Sequence, residues 1–200
     1  MRKAILFSAA LGTVLAASSL SAQAAPDRRG LYADIGANWT FPTIEATNGI
    51  TTVHQYQSNP GYVVGIGFGM KNNKLRLGAQ VDYFAEKNIF GNASFDGKQW
   101  FYTAAATYYP GVKDMWVRLN LGYGTIEATG GGQSASAGGF AGGLGVGYDF
   151  LMGKGGFAIA PYASYLDLFK TGDFGGFLTG QGVTAKSGLF QLGVTLGYKH

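Results

Sequence analysis

The stretch of sequence that decides the fold is Gly61–Phe84, GYVVGIGFGMKNNKLRLGAQVDYF. Large apolar residues occupy alternate positions on both sides of Asn72-Asn73, and mostly glycine or polar residues lie between them. Because successive side chains of a strand point to opposite faces, this alternation predicts two strands, each apolar on one face. Asparagine tolerates the positive φ of a two-residue turn, so Asn72-Asn73 predicts a hairpin.

A two-residue turn at this position also fixes the register of the hairpin. It places Tyr62 opposite Tyr83 and Phe68 opposite Leu77, so that apolar residues meet apolar residues along the whole pair. On the other face, glycines meet the long polar side chains of the partner strand, Arg76 among them. This arrangement predicts a crowded interior in which glycine makes room for its neighbours. A lumen-facing Gly78→Ser change is expected to cost less than Leu77→Arg on the lipid face, for which about 2–4 kcal/mol is expected.

The alternation recurs along the rest of the chain and predicts the number of strands. Six further segments carry it, around 31–41, 100–108, 117–123, 144–150, 157–168 and 190–198. The connections alternate between short turns and long loops, the loops being predicted at about 42–59, 87–94, 128–137 and 170–185. The pattern predicts an all-β fold, an eight-stranded antiparallel up-and-down transmembrane β-barrel.

One predicted strand breaks the parity of the others. Phe157 and Ile159 carry the outward parity that follows from a tight turn, whereas Leu166 and Leu168 carry the opposite parity. Pro161 lies between the two pairs and cannot donate to a sheet ladder. The sequence therefore predicts a β-bulge near this proline.

The amino terminus has the features of a secretory signal peptide. Arg2 and Lys3 precede an apolar run at 4–17, which is too short to span a bilayer, and the segment ends in Ala22-Gln23-Ala24. Residues 1–24 are accordingly predicted to be a cleaved signal peptide, and residues 25–200 to be the barrel domain.

Composition argues against a water-soluble surface and against nucleic acid as a partner. Charged residues make up 13% of the chain and aromatic residues 14%, whereas soluble domains carry about 25% charged residues. The chain contains no cysteine, so disulfides do not hold the fold. Two of the four excess positive charges, Arg2 and Lys3, belong to the signal peptide, and the other basic residues are scattered.

This pattern of short turns at one end and long loops at the other resembles that of the small OmpA/OmpX-type and opacity-type, porin-like outer-membrane barrels, over the whole mature chain. The resemblance implies a location in the outer membrane of a Gram-negative bacterium. It also implies a monomer whose partners are outer-membrane lipid, lipopolysaccharide and the barrel assembly machinery, with host or envelope surface ligands at the loops.

The candidate site is a set of charged residues with inward parity. Buried charges need partners, so these side chains are expected to form an ion-pair network in the lumen. Such a network is either a structural filling of a closed core or a selectivity constriction in a narrow channel, and the first is favoured because eight strands leave room for little more than side chains. The predicted lumen charge network consists of Asp34, Arg76, Asp82, Arg118, Asp149 and Lys199.

Catalysis and metal binding are not expected. The chain has two histidines, His54 in the first predicted long loop and His200 at the end, and neither has a serine or carboxylate at a spacing that suggests a triad. With no cysteine and no clustered histidines, neither a metal nor another cofactor is expected.

Two functions remain open at this point. The first is a structural, envelope-integrity or surface-adhesion role exerted through extracellular loops, which is favoured by polar loops without a charge cluster that would steer ions. The alternative is a narrow porin-like channel for small or hydrophobic solutes, as in the OmpW-like barrels.

Overall fold

Strands account for nearly all of the described part of the chain. The computed structural model describes residues 30–47, 52–55, 58–70, 74–87, 95–111, 114–130, 133–152, 156–169 and 184–199. Within these residues no helix has both the length and the apolar character needed to cross a membrane. The strands are β1 Gly30–Thr47, β2 Thr52–Gln55, β3 Asn59–Gly69, β4 Leu75–Lys87, β5 Phe95–Tyr108, β6 Met115–Gly130, β7 Gln133–Tyr148, β8 Phe150–Met152, β9 Phe157–Leu168 and β10 Thr184–Lys199.

The strands form one closed antiparallel barrel. Neighbours along the chain pair in the order β1, β3, β4, β5, β6, β7, β9 and β10, and β10 returns to pair with β1. Strand β8 continues β7 against the same partner, β9, while β2 pairs with the far end of β1. The barrel wall therefore has eight strands, and the predicted fold class is confirmed.

The Gly61–Phe84 hairpin has the register that the sequence predicts. Tyr62 lies opposite Tyr83 and Phe68 opposite Leu77, while Gly69 lies opposite Arg76. Most apolar residues of this pair point out of the barrel, and the glycines and polar residues point into it, together with Val63 and Phe84. The predicted turn at Asn72-Asn73 lies outside the described residues.

The predicted β-bulge near Pro161 is wrong. Strand β9 pairs with β10 without a change of register from Phe157 to Leu168. Leu166 and Leu168 keep inward parity and are completely buried. On its other side, β9 pairs with β7 and then with β8, and the ladder is interrupted between these two strands. Pro161 lies at the interruption, and proline has no N–H to donate to the ladder.

Two of the predicted long loops contain paired strands. Strands β6 and β7 remain paired from Met115 opposite Tyr148 to Gly130 opposite Gln133, so the predicted loop at 128–137 is the end of a long hairpin. In the predicted loop at 42–59, β1 continues to Thr47 and pairs with β2. His54 consequently lies in a strand rather than a loop. The polar composition of these segments fits strands that continue beyond the lipid, where both faces meet water.

The outer face of the barrel is an apolar belt bounded by aromatic residues. Leu31, Ile35, Ile66 and Leu196 each expose more than half of their surface, which a water-soluble barrel would avoid. Aromatic rings pair near both ends, with Tyr83 and Trp100 among those at the long-hairpin end. Near the short-turn end the pairs are Tyr148 with Phe150 and Phe157 with Tyr198. Such a belt is the surface that a bilayer requires.

The inner face is packed so closely that some glycines cannot be replaced. A Cβ atom added at Gly78 would overlap the Ile66 carbonyl oxygen and press on the Tyr32 hydroxyl. One added at Gly65 would lie 2.5 Å from Oδ1 of Asp34. A side chain at position 78 would therefore strain the wall, because the glycine is covered by backbone and by an aromatic side chain.

Val194 tests the assignment of the outer face. It lies near the middle of β10, is 46% exposed and points away from the lumen. We expect Val194→Arg to lower the free energy of unfolding in lipid by about 2–4 kcal/mol, because it places a charge in hydrocarbon. Urea unfolding in liposomes measures the effect, with Val194→Ala as the control. Equal midpoints for the two variants would show that this residue does not face lipid.

Candidate functional site

Charged and aromatic side chains close the short-turn end of the lumen. We call Tyr32, Arg76, Tyr109, Trp116 and Asp149 the lower cluster. The Asp149 carboxylate accepts hydrogen bonds from the Tyr109 hydroxyl at 2.8 Å and from the Trp116 indole Nε1 at 2.9 Å. The Arg76 guanidinium lies 4.0 Å from this carboxylate, donates to the Tyr109 hydroxyl at 3.0 Å, and lies 5.3 Å from the centre of the Tyr32 ring. All five residues are buried.

A second set of polar residues, the middle cluster, fills the lumen above the first. It consists of Asp34, Gln80, Asp82, Thr107 and Arg118. All three nitrogens of the Arg118 guanidinium have a partner. Nε donates to Thr107 Oγ1 at 2.9 Å, and one terminal nitrogen donates to Gln80 Oε1 at 2.6 Å. The other terminal nitrogen lies 3.7 Å from Asp34 Oδ2. The Gln80 amide in turn donates to Asp82 Oδ2 at 2.8 Å. The cluster thus forms one chain of contacts across the lumen.

Trp116 joins the two clusters. Its indole N–H is bonded to Asp149 in the lower cluster, and its ring lies 4.7 Å from the Cζ atom of Arg118 in the middle cluster. A guanidinium over an indole face is a favourable cation–π contact, and more so when both groups are buried. Four of the predicted charges therefore meet as two ion pairs bridged by an aromatic residue.

Asp82 is not a member of either ion pair. Asp82 is 1% exposed and contacts an amide, and among the described residues its Oδ1 has no hydrogen-bond partner. Lys199 ends β10 opposite Tyr32, but its side chain lies outside the described part of the structure. Of the six predicted network residues, the structure brings together Asp34 with Arg118 and Arg76 with Asp149.

An apolar plug fills the lumen above the middle cluster. Its seven members are packed against one another and each exposes 5% of its surface or less. They come from six strands of the wall, so the plug spans the whole cross-section. Eight strands enclose a lumen that side chains can fill, and these buried side chains fill it at this level. The plug consists of Phe84, Phe101, Ile126, Ala141, Leu166, Leu168 and Leu189.

Sequence reasoning missed the plug and the aromatic members of the lower cluster, although parity contained the signal. Trp116 has the same parity as Arg118, and Phe84 the same parity as Asp82. Apolar residues had been assigned to the outer face, so those with inward parity were overlooked. An eight-stranded lumen must be filled, and apolar side chains can fill it where no ions pass.

The described side chains of the lumen form hydrogen bonds, ion pairs and apolar contacts with one another. Among the described residues no group of three or more histidine, cysteine, aspartate or glutamate side chains could hold a metal ion. His54 pairs through its backbone with Glu45, and its side chain is outside the described set. The geometry is that of a filled core, stabilised by buried hydrogen bonds.

Comparison with known proteins places the fold in a class. No family model and no curated protein matches the sequence. Neisserial surface protein A (NspA), known from a crystal structure, is 14% identical to this chain in sequence. The structural match covers 86% of this chain and 97% of that chain, with a TM-score of 0.54. Ail of Yersinia pestis is 14% identical, with coverages of 84% and 99% and a TM-score of 0.46. The N-terminal β-barrel domain of Pseudomonas aeruginosa OprF is 15% identical, with coverages of 84% and 97% and a TM-score of 0.44.

The first of these similarities shows the fold, and it agrees with the closed ladder and the apolar belt described above. The chain is a small eight-stranded barrel of the outer-membrane type.

Arg118 tests whether the middle cluster stabilises the barrel. Arg118→Ala would leave the Asp34 carboxylate buried without its cation and remove the cation–π contact to Trp116. We expect the free energy of unfolding to fall by about 3–5 kcal/mol, and by less if water enters the lumen. Urea midpoints in detergent micelles measure this, with Arg118→Lys as a charge-conserving control. An unchanged midpoint for the alanine variant would contradict a structural role.

Asp82 and Asp149 form a matched pair for testing the ionic contacts. Asp82→Asn keeps an acceptor for Gln80 and removes a buried charge that forms no ion pair among the described residues, so we expect it to raise the free energy of unfolding by about 1 kcal/mol. Asp149→Asn weakens bonds to Tyr109 and Trp116, so we expect a loss of roughly 1–3 kcal/mol. The same urea assay compares them, and a loss in both variants would refute the distinction.

Proposed function

We propose that this protein is a non-conducting structural barrel of the outer membrane of a Gram-negative bacterium. In this role it contributes to envelope integrity or to surface adhesion through the strands and loops that extend beyond the lipid. The observation that carries the proposal is the double closure of the lumen by the lower cluster and the apolar plug. A barrel whose interior is occupied in this way can act only through its surface.

The parts of the wall that extend past the aromatic belt support a surface role. The β6–β7 hairpin stays paired to Gly130 and Gln133, and β1 stays paired with β10 up to Thr47 opposite Thr184. Their backbone ladders hold these segments in fixed positions, which is what a recognition surface needs. Their ligands would be envelope components or host surface molecules.

The narrow channel for small or hydrophobic solutes remains the competing function. Polar side chains line the lumen below the plug, and among them Ser164 donates to Gln191 and Asn38 to Tyr162. A solute could follow this polar region only if the plug moved. Conductance therefore separates the two functions.

We expect the wild-type barrel to show no steady single-channel current in a planar bilayer. The variant Arg76→Ala, Leu168→Ala, which removes one member of the lower cluster and one of the plug, should conduct because both closures are weakened. Val194→Ala, which changes only the outer face, is the control for purification and insertion into the bilayer. Steady current through the wild type would overturn the proposal and favour the channel.

A further inference from the structure

Three buried polar atoms between the Arg118 guanidinium and the apolar plug have no hydrogen-bond partner among the described residues. They are Oδ1 of Asp82 on β4, Oδ1 of Asn120 on β6 and Nε2 of Gln191 on β10. Each of these residues exposes 1% of its surface or less. Leaving a buried polar atom without a partner is costly, so three of them in one region indicate a bound ligand.

The three side chains approach the barrel axis from well-separated directions. Strand β5 lies between β4 and β6, strands β7 and β9 lie between β6 and β10, and strands β1 and β3 lie between β10 and β4. Asp82 and Gln191 each lie one inward position below a plug residue of the same strand, and Asn120 lies one inward position above Arg118. We call the region that Asp82, Asn120 and Gln191 enclose the chamber. The plug lies above the chamber and the lower cluster lies below it.

Protein contacts fix the orientation of two of these side chains. The other carboxylate oxygen of Asp82, Oδ2, accepts from Gln80 Nε2 at 2.8 Å, and the Gln191 carbonyl oxygen accepts from Ser164 Oγ at 2.9 Å. The Gln191 amide nitrogen faces the Asp82 carboxylate without reaching hydrogen-bond geometry. A small molecule between this donor and this acceptor would satisfy both groups.

The wall around Asn120 brings no polar side chain to its amide oxygen. The residues opposite Asn120 on the two neighbouring strands are Ala105 and Gly143. The next inward position of β6 is Gly122. None of these three residues has a side-chain donor, so the oxygen needs a donor from within the lumen.

We propose that the chamber binds a cluster of ordered water molecules, sealed between the lower cluster and the plug. Water both donates and accepts, and the chamber offers two acceptors and one donor. A cation would instead meet the Gln191 amide nitrogen and the positive charge of Arg118, which acts on Asp82. The proposal rests on the proposed function, because the water is trapped only while both closures hold.

Asn38 provides a matched control on the inner face of the barrel. Its Nδ2 donates to the Tyr162 hydroxyl at 3.0 Å, and its Oδ1 accepts from Thr40 Oγ1 at 2.7 Å. Both ends of this amide are thus bonded to protein, whereas the Asn120 oxygen has no protein partner among the described residues. Leucine is close to asparagine in size, so Asn38→Leu and Asn120→Leu differ mainly in what the lost amide was bonded to.

The first measurement uses the wild-type protein folded in detergent micelles. Nuclear Overhauser effects between water and the Gln191 side-chain amide protons report whether water stays beside this group. We expect an effect with the sign of a molecule that tumbles with the barrel, because buried water with several hydrogen bonds exchanges slowly. An amide that gives no such effect would overturn the proposal, and this test requires no variant to fold.

The second measurement counts long-lived water molecules by the dispersion of water ¹⁷O relaxation. We expect Asn120→Leu to lose at least one such molecule relative to wild type, because the leucine displaces water and offers it no partner. Asn38→Leu should lose none, and its urea midpoint should fall further than that of Asn120→Leu because protein hydrogen bonds are broken. An Asn120→Leu variant that is folded by its heat-dependent gel mobility and keeps the wild-type amplitude would contradict the chamber.

Conductance separates the failure of the chamber from the failure of the proposed function. A wild type that conducts steadily would refute the closed barrel. A non-conducting wild type whose Gln191 amide shows no bound water would refute the chamber alone.

Discussion

A strand in hydrocarbon has no water with which to satisfy its backbone, and each unpaired N–H or C=O there costs several kcal/mol. The pairing of β10 with β1 removes this penalty by leaving the wall without an edge. Most other features depend on that closure. Closed at eight strands, the wall encloses a space that side chains fill, and the inward residues must therefore pack as a core does.

This core is divided by height into two parts with different chemistry. Near the short turns, Arg76 and Arg118 are held by carboxylates, hydroxyls and aromatic faces, so that their charges are compensated without water. Above them, the side chains of the apolar plug carry no charged or polar groups that would need partners. The Trp116 indole links the two ion pairs and makes the polar part a single unit, which explains why removing one of its charges is expected to affect the whole.

The fold could be predicted from sequence because lipid imposes strict alternation. The Tyr62–Tyr83 register followed from the turn and the parity alone. The prediction failed where packing in the lumen or contact with water, rather than contact with lipid, decided which positions are apolar. Leu166 and Leu168 were read as outward because they are apolar, although the plug gives them an inward place. Segment 128–137 was read as a loop because it is polar, although above the lipid a paired strand is polar on both faces.

The six network charges could be named from parity, but their partners Tyr109 and Trp116 could not, since parity gives the direction of a side chain and not what it touches across the lumen.

The length of the β6–β7 hairpin has a consequence for how far the protein reaches from the cell. Seven residues separate Tyr123, in the apolar belt, from Gly130 at the end of β6. At a rise of about 3.3 Å per residue and a strand tilt of roughly 40°, the hairpin extends about 18 Å above that ring. A paired ladder does not collapse onto the membrane as a flexible loop would. Its tip therefore stands beyond the bilayer, where soluble molecules can reach it.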